Sequence, residues 1–589
     1  MRSIPSSFAV ALGLCFILPL LNYLREPPLG DFFGEWASAT VMALGALLMV
    51  RALPKRLEIN GVLLAAPVLL VALILLHAAL GRYVYYTDAL LYAGYLTMFV
   101  LVVVLGQHFR NADFAAEVAQ RMAWAVIAVA LVNLAAQIAQ LGGWDQHLQP
   151  WIVALNRESV CIVYGNTAQS NHTSGIAWLA ICGSMYLAHE RRMPVWLLAL
   201  LVPAFMFSSA LTSSRMAWLF LTLGVALALS ARPRWATTLQ GRMLLGAGLV
   251  GSFLAVTAAT GALMGFLEPS CLSSLDRMDA REGGITVRLD LLRQAALVWS
   301  GNPWIGAGAY SFNGRVYELV AEGRSQHLDT YAHNVFAQVL AEFGLTGALG
   351  LAIVVLACLW GLWRHRRELE AVDVVLLSWL GVLGIHSLLE YPLWYVHFLM
   401  FFGLALGLLI RPSWCLLPVT LPAKAIVGVI ASAALLGCIG LLHDYRKLDR
   451  YMFLVLQKLE NKMASLPEVD AILAGADADV LFYRPHAEHM RGMGMSMTRD
   501  DLAEKIALTD KLLSRAPTPP TVARRVVLAV LDGDLDGARW HMDRLMLFFP
   551  KQGEELAREM YEMARLRPDD LGALPAVLDA SIAASQRRS

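Results

Sequence analysis

Charge is what this sequence has least of. Asp, Glu, Lys and Arg make up 16% of its 589 residues, against about 25% in an ordinary soluble domain. Hydrophobic residues make up 58%, and the mean hydropathy is +0.56. A chain so composed cannot give all its apolar surface a solvated cover, which excludes a string of ordinary soluble domains. The net charge of +1 singles out no partner, and nucleic acid is not expected among them. Also missing are a glycine-rich phosphate loop in a strand–helix setting and any Cys/His cluster with zinc spacing. No nucleotide, metal or other cofactor is therefore expected, so the energy for any chemistry must arrive with the substrate. One stretch imitates a calcium loop: "DGDLDGARWHMD", Asp532 to Asp543. It has Asp where the bidentate Glu belongs and Arg539 where a hydrophobe packs, so it reads as a turn between helices.

What is present is a series of apolar runs of roughly 16–25 residues, enough to cross a hydrocarbon core of about 30 Å as helix. The fold class expected is all-α, a polytopic membrane protein. Thirteen spans are predicted, near 8–24, 36–53, 61–80, 88–106, 122–142, 173–188, 195–211, 216–230, 243–263, 336–363, 373–390, 393–410 and 424–442. The first follows Arg2 like a signal peptide but lacks a small-x-small cleavage site, so it reads as a retained helix. Short basic connections, such as "RALPKR", "HERRMP" and "RHRRELE", follow the even-numbered spans. The positive-inside rule places these and the N-terminus in the cytoplasm. Segments 143–172, 264–335 and 443–589 then face the opposite side, in a bacterium the periplasm. The expected organisation is helices 1–9 over 1–263, a loop over 264–335, helices 10–13 over 336–442, and a soluble helical tail over 443–589. The tail's amphipathic helix–turn–helix rhythm resembles degenerate tetratricopeptide repeats. Most of the seven cysteines fall inside spans as packing residues, whereas Cys161 and Cys271 lie in outer loops where a disulfide between them is permitted.

Several side chains are out of place in such a setting. In "TYAHNVFAQVLAEFGLTGALG", Asn334, Gln338 and Glu342 recur at i, i+4, i+8 and make one polar stripe on the tenth span. Interhelical hydrogen bonding accounts for Gln338 and Glu342. His333 lies at the membrane boundary, where an imidazole can take a proton near neutral pH. The loop 264–331 holds Arg277, Arg281, Arg288, Arg293, Arg315 and Arg324 and no lysine. Arginine is suited to bidentate phosphate recognition. Most of these six read as soluble surface, and Arg288 stands out at the start of an amphipathic helix that leads to "GNPWIGAGAYSF". Arg215 enters the eighth span from the same side. "YGNTAQSNHTSG" brings Asn166, Gln169, Asn171 and His172 to the mouth of the sixth, an amide density suited to sugar hydroxyls.

An arginine-bearing loop followed by "HNVFAQVLAEFGLTG" resembles the O-antigen ligase superfamily of lipid-linked glycan transferases. "GNTAQSNHTSG", "PPLGDFFGEWASA" and "LLEYPLWYVHFLMFFGLALG" are similar to stretches of its protein O-oligosaccharyltransferases, the pilin-glycosylation ligases. The resemblance covers about residues 20–450. It implies transfer of a preassembled glycan from undecaprenyl diphosphate to a Ser or Thr hydroxyl of a periplasmic protein such as pilin, at the inner membrane and without a cofactor. It also implies that His333 is the essential base, that Arg215 and Arg288 hold the pyrophosphate, and that Gln169 is the glutamine of the family's amino-terminal signature; its neighbours Asn171 and His172 read with it as substrate-binding. Asn334, beside the base, and Tyr391 or Tyr395 complete the substrate-binding set. A ligase acting on lipid A core and an O-antigen polymerase share this chemistry. A transporter is the weaker alternative, since it would carry mid-membrane polar groups and internal repeats.

Overall fold

A computed structural model describes residues 6–22, 24–25, 29–155, 162–230, 238–267, 284–320, 327–414, 417–460 and 466–587. It is almost wholly helical, as a chain must be where no water is available to satisfy backbone groups. A helix occupies each predicted span: α1 (Ser6–Leu21), α2 (Phe32–Met49), α3 (Val62–Ala79), α4 (Tyr86–Asn111), α5 (Ala115–Leu141), α6 (Ser170–His189), α7 (Val195–Leu211), α8 (Met216–Ser230) and α9 (Leu239–Leu267). Then follow α10 (Gly284–Gly301) and α11 (Phe312–Leu319) in the loop, and four more at spans: α12 (Val335–Arg364), α13 (Ala371–Leu389), α14 (Val396–Leu409) and α15 (Ala423–Glu460). Eight of these are long and apolar enough to cross a membrane, and α1, α7, α8 and α14 are shorter apolar helices. Several outrun the hydropathy boundaries; α5 starts at Ala115, and α15 continues to Glu460 with no break at residue 442.

The chain forms two compact units. The first takes in 1–68, 94–284 and 350–438. Its core is built from large side chains excluded from solvent, among them Phe109, Trp178, Phe205, Trp379 and Phe401. Helix α6 runs through its core: Thr173–Ile181 is buried continuously, so Thr173 and Ser174 face protein. Gly106 of α4 and Gly407 of α14 let two backbones touch, since a Cβ on Gly407 would lie 2.5 Å from the Val103 carbonyl oxygen. Beside that crossing the only strands among the described residues, β1 (Leu57–Asn60) and β2 (Pro418–Leu421), pair antiparallel with Leu57 opposite Leu421. Asn111 donates to the Glu58 carbonyl (2.8 Å), and Asp373 takes both Arg110 and Arg411, the latter at 2.8 Å. The ladder and these bonds gather four of the basic connections at one end of the helices, as the charge pattern requires if they share a side.

The second unit takes in 69–93, 285–349 and 439–589. Its tail helices, α16 (Leu466–Asp479), α17 (Arg484–Gly494), α18 (Leu502–Arg515), α19 (Pro519–Asp532), α20 (Leu535–Phe548), α21 (Pro550–Leu566) and α22 (Leu574–Gln586), follow one another through short turns. The stretch with calcium-loop spacing is such a turn: Gly533 has φ +85° and the Asp534 carboxylate accepts from Gly537 N at 2.9 Å, capping α20. The tail shares its core with α11. Phe312 and Tyr317 are buried against it, the Tyr317 hydroxyl lies 2.8 Å from His541 Nδ1, and Arg544 donates to the Tyr317 carbonyl at 2.7 Å.

Candidate active site

Within the first unit, the predicted residues converge where α6, α8 and α14 begin and α13 ends. The loop before α6 is held from below by α5. Asn133, Gln137 and Gln140, at i, i+4, i+7, are buried amides whose side chains bind loop backbone. Asn133 Oδ1 accepts from Asn166 N (2.8 Å), Gln137 Nε2 donates to the Val163 carbonyl (2.8 Å), and Gln140 Oε1 accepts from Gly165 N (2.8 Å). Gly165 (φ +65°) passes so close that an added Cβ would lie 2.6 Å from Asn133 Oδ1. Ala168 then takes the left-handed φ of 54°, which turns Gln169 into the N-cap of α6, its side-chain oxygen accepting from His172 N at 2.6 Å. Left-handed backbone costs an ordinary residue about 1–2 kcal/mol.

Asn171 is a strut. Its Nδ2 donates to Glu390 Oε1 (2.9 Å), and its Oδ1 accepts from the Ser214 hydroxyl (2.6 Å). Ser214 follows Ser213, another left-handed residue (φ 50°), and precedes Arg215. The half-buried Arg215 guanidinium has no carboxylate or hydrogen-bond partner among the described residues, which leaves its five donors available to an anion. His172 is buried at 4% exposure, with the Tyr395 ring edge-on at 4.6 Å; the Tyr391 ring lies parallel to Tyr395 at 6.5 Å. Tyr395 is thus in contact with the α6 signature.

Within the second unit, His333 itself has φ 49°, and its Nε2 is 2.9 Å from Asp329 Oδ2. Burial alone would raise the Asp329 carboxyl, but the hydrogen bond and charge of His333 outweigh it and hold the group below its ordinary range. Asn334 is the N-cap of α12: its Oδ1 accepts from Phe336 N (3.1 Å) and Ala337 N (3.0 Å). Gln338 accepts from Ala332 N at 2.7 Å, so it pins the turn that carries His333. Glu342 accepts from the Tyr92 hydroxyl at 3.1 Å. Helix α12 is not continuous: Gly344 (φ +64°) breaks it, and Leu345 and Thr346 donate to the Pro303 and Trp304 carbonyls of "GNPWIGAGAYSF". Among the loop arginines, Arg293 pairs with Asp290 (3.0 Å) and Arg315 with Glu318 (2.8 Å), while Arg288 is half-buried on α10. Arg277, Arg281, Arg324, Cys161 and Cys271 lie outside the described residues.

A histidine oriented by a carboxylate, with unpaired arginine elsewhere, suits transfer from a phosphate-activated donor to a hydroxyl. Comparison with known proteins points the same way. Residues 198–352 match the O-antigen ligase family model, and residues 374–562 match that of the C-terminal region of virulence factor membrane-bound polymerases. The chain is 26% identical over 469 residues to a general O-oligosaccharyltransferase of Acinetobacter baylyi, covering 78% of each chain. It is 21% identical over 337 residues to a ComP-specific O-oligosaccharyltransferase of the same organism, covering 57% of this chain and 59% of that one. These matches support an O-oligosaccharyltransferase of the O-antigen ligase superfamily. The named relatives support a glycosyltransferase, and the run of apolar helices supports a multi-pass membrane protein.

Hydropathy alone left several contributors unseen. Asp329 sits four residues before His333 in a stretch that reads as plain loop. Asn133, Gln137 and Gln140 do carry a signal, a polar stripe at helical spacing in an otherwise apolar span. Glu390 adjoins the "EYPLWY" stretch but pairs with Asn171 across 219 positions, a contact that spacing cannot reveal.

Proposed function

We propose that the enzyme moves a preassembled oligosaccharide from undecaprenyl diphosphate to Ser or Thr hydroxyls of periplasmic proteins, pilin among them. In this reading the chain crosses the bacterial inner membrane thirteen times with its N-terminus in the cytoplasm. His333 and the tetratricopeptide-like tail face the periplasm, where the tail receives the acceptor. His333 takes the acceptor hydroxyl proton as the oxygen attacks the anomeric carbon. The bond from that carbon to the phosphate oxygen breaks, and undecaprenyl diphosphate leaves with the electron pair, inverting the centre. Asp329 orients the imidazole and stabilises its charged form. Arg215 and Arg288 hold the diphosphate and offset the charge that grows on it. Gln169, His172 and the Tyr391–Tyr395 pair line the donor site, and Asn171 and Asn334 position Arg215 and His333.

The observation that carries this reading is the His333–Asp329 pair, on strained backbone at the first turn of a membrane helix. The names of the two Acinetobacter relatives favour a protein acceptor. The match to membrane-bound polymerases over 374–562 favours a second reading, in which the acceptor is another glycan. Purified enzyme, lipid-linked glycan and pilin, assayed with and without EDTA, test the proposal. Transfer to pilin should survive EDTA and vanish in His333→Ala. Transfer only to glycan or lipid A core would replace the acceptor, and transfer abolished by EDTA would overturn the metal-independent step. Arg288→Lys, which keeps charge and loses bidentate geometry, should lower kcat/KM at least about tenfold.

A further inference from the structure

A cavity of about 50 Å³ opens in the first unit between the end of α1 and the starts of α2, α6 and α14. Two residues of the proposed donor site, His172 and Tyr395, form part of its wall, and Arg25, Asp31, Glu35 and His397 form much of the rest. Its chemistry is arranged in depth. Asp31 is exposed at the mouth, and Glu35, one helical turn further along α2, is mostly buried. Glu35 accepts from Val396 N at 2.5 Å, and its other oxygen lies 3.4 Å from His397 Nδ1. Arg25 donates to the Asn22 and Pro19 carbonyls at 2.9 and 3.2 Å, so it braces the chain after α1. His172 is 4% exposed, yet neither ring nitrogen has a hydrogen-bond partner among the described residues. A buried imidazole facing a polar cavity with nothing to bind is a group awaiting a partner.

The charge balance says what that partner is not. Two carboxylates in a wall whose one arginine is occupied by carbonyls repel a diphosphate, whose place is at the unpaired Arg215. The wall offers acceptors (Asp31, Glu35) alongside groups that donate or accept (His172, His397, Tyr395), which complements a hydroxyl, itself both donor and acceptor. The volume holds only a few waters, at about 10–15 Å³ for each, so a ring substituent fits and a whole sugar does not. His172 and Asn171 are consecutive, and Asn171 bonds Ser214 beside Arg215, so cavity and arginine flank one helix end. We propose that this cavity is a sugar-reading subsite that takes a hydroxyl-bearing substituent of the sugar next to the diphosphate. Asp31 and Glu35 are its specificity-determining acceptors. The proposal rests on the donor reading above and adds to it the place where the sugar is recognised.

The test uses the full-length enzyme in detergent, a pilin acceptor, and lipid-linked donors that are either complete or lack one hydroxyl on the sugar next to the diphosphate. Wild type should prefer the complete donor over at least one deoxy donor by about tenfold or more in kcat/KM, because the missing group leaves buried polar atoms unpaired. Glu35→Gln and Asp31→Asn should each shrink that ratio to within about threefold, chiefly by slowing the complete donor. Arg215→Ala should slow both donors alike and leave the ratio unchanged. Wild type that uses every deoxy donor as well as the complete one, or variants that keep the wild-type ratio, would overturn the subsite while transfer itself stands. No transfer from any donor to any protein would overturn the donor reading and the subsite together. If Glu35→Gln does not fold, Asp31→Asn at the exposed mouth carries the comparison of donors by itself.

Discussion

At the scale of single residues, three of the seven non-glycine residues with positive φ among the described residues lie in or near the candidate site. Ala168, Ser213 and His333 are all ordinary residues in left-handed backbone, and each is, or lies within two residues of, a proposed functional group. Backbone held in such a region persists only where its surroundings fix it, and here the surroundings include backbone N–H bonds accepted by the Gln169, Thr212 and Gln338 side chains. Asp329 offers the sharpest test of the arrangement. Asp329→Asn keeps the size of the side chain and removes the charge that complements protonated His333. It should lower kcat by about tenfold to a hundredfold with little change in donor KM, measured as glycan transferred to pilin. The histidine was legible in the sequence because an ionisable group at the edge of an apolar run is conspicuous. Its aspartate was not, because an acid in a polar loop looks like any other until the backbone turns it inward.

At the scale of elements, position along the apolar runs was legible and local geometry was not. Every span coincides with a helix because burial of some twenty apolar residues leaves few alternatives. The break at Gly344 escaped detection, since glycine is common in membrane helices and only its contact with 303–306 makes it a hinge point. The loop–helix junction at 163–169 gives a prediction of its own. Gly165→Ala would drive a methyl into Asn133 on backbone that already needs positive φ, and should destabilise the fold by about 2–4 kcal/mol. A lowered melting temperature in detergent, with transfer activity lost in parallel, would confirm it. A neutral Gly165→Ala would mean that the amide stripe of α5 does not fix this loop.

At the scale of the whole molecule, two buried histidines of the second unit tie stability to pH. Burial, reinforced by Arg525 and Arg544, pushes His541 down to about 3, and burial with Arg515 and His489 does the same to His486. Unfolded, both titrate near 6.5, so below that pH the unfolded chain takes up protons that the folded chain refuses. Their contribution is complete above pH 6.5 and falls away as pH drops toward 3, by about 2 kcal/mol per histidine at pH 5. Followed by circular dichroism, unfolding should come at lower urea at pH 5 than at pH 7.5, and His541→Gln should reduce the difference. The sharing of a core between α11 and the tail was invisible in the sequence, where some two hundred residues separate Tyr317 from its partner His541. The small ladder of β1 and β2 has the same long reach in the first unit, with Asn60 bonded to Arg411 across 351 positions. During synthesis at about 5–20 residues per second, the first of these strands exists for tens of seconds before the second has been made. The ladder is therefore a clasp that closes late, and an early loop must wait, unpaired, for the last third of the chain to arrive.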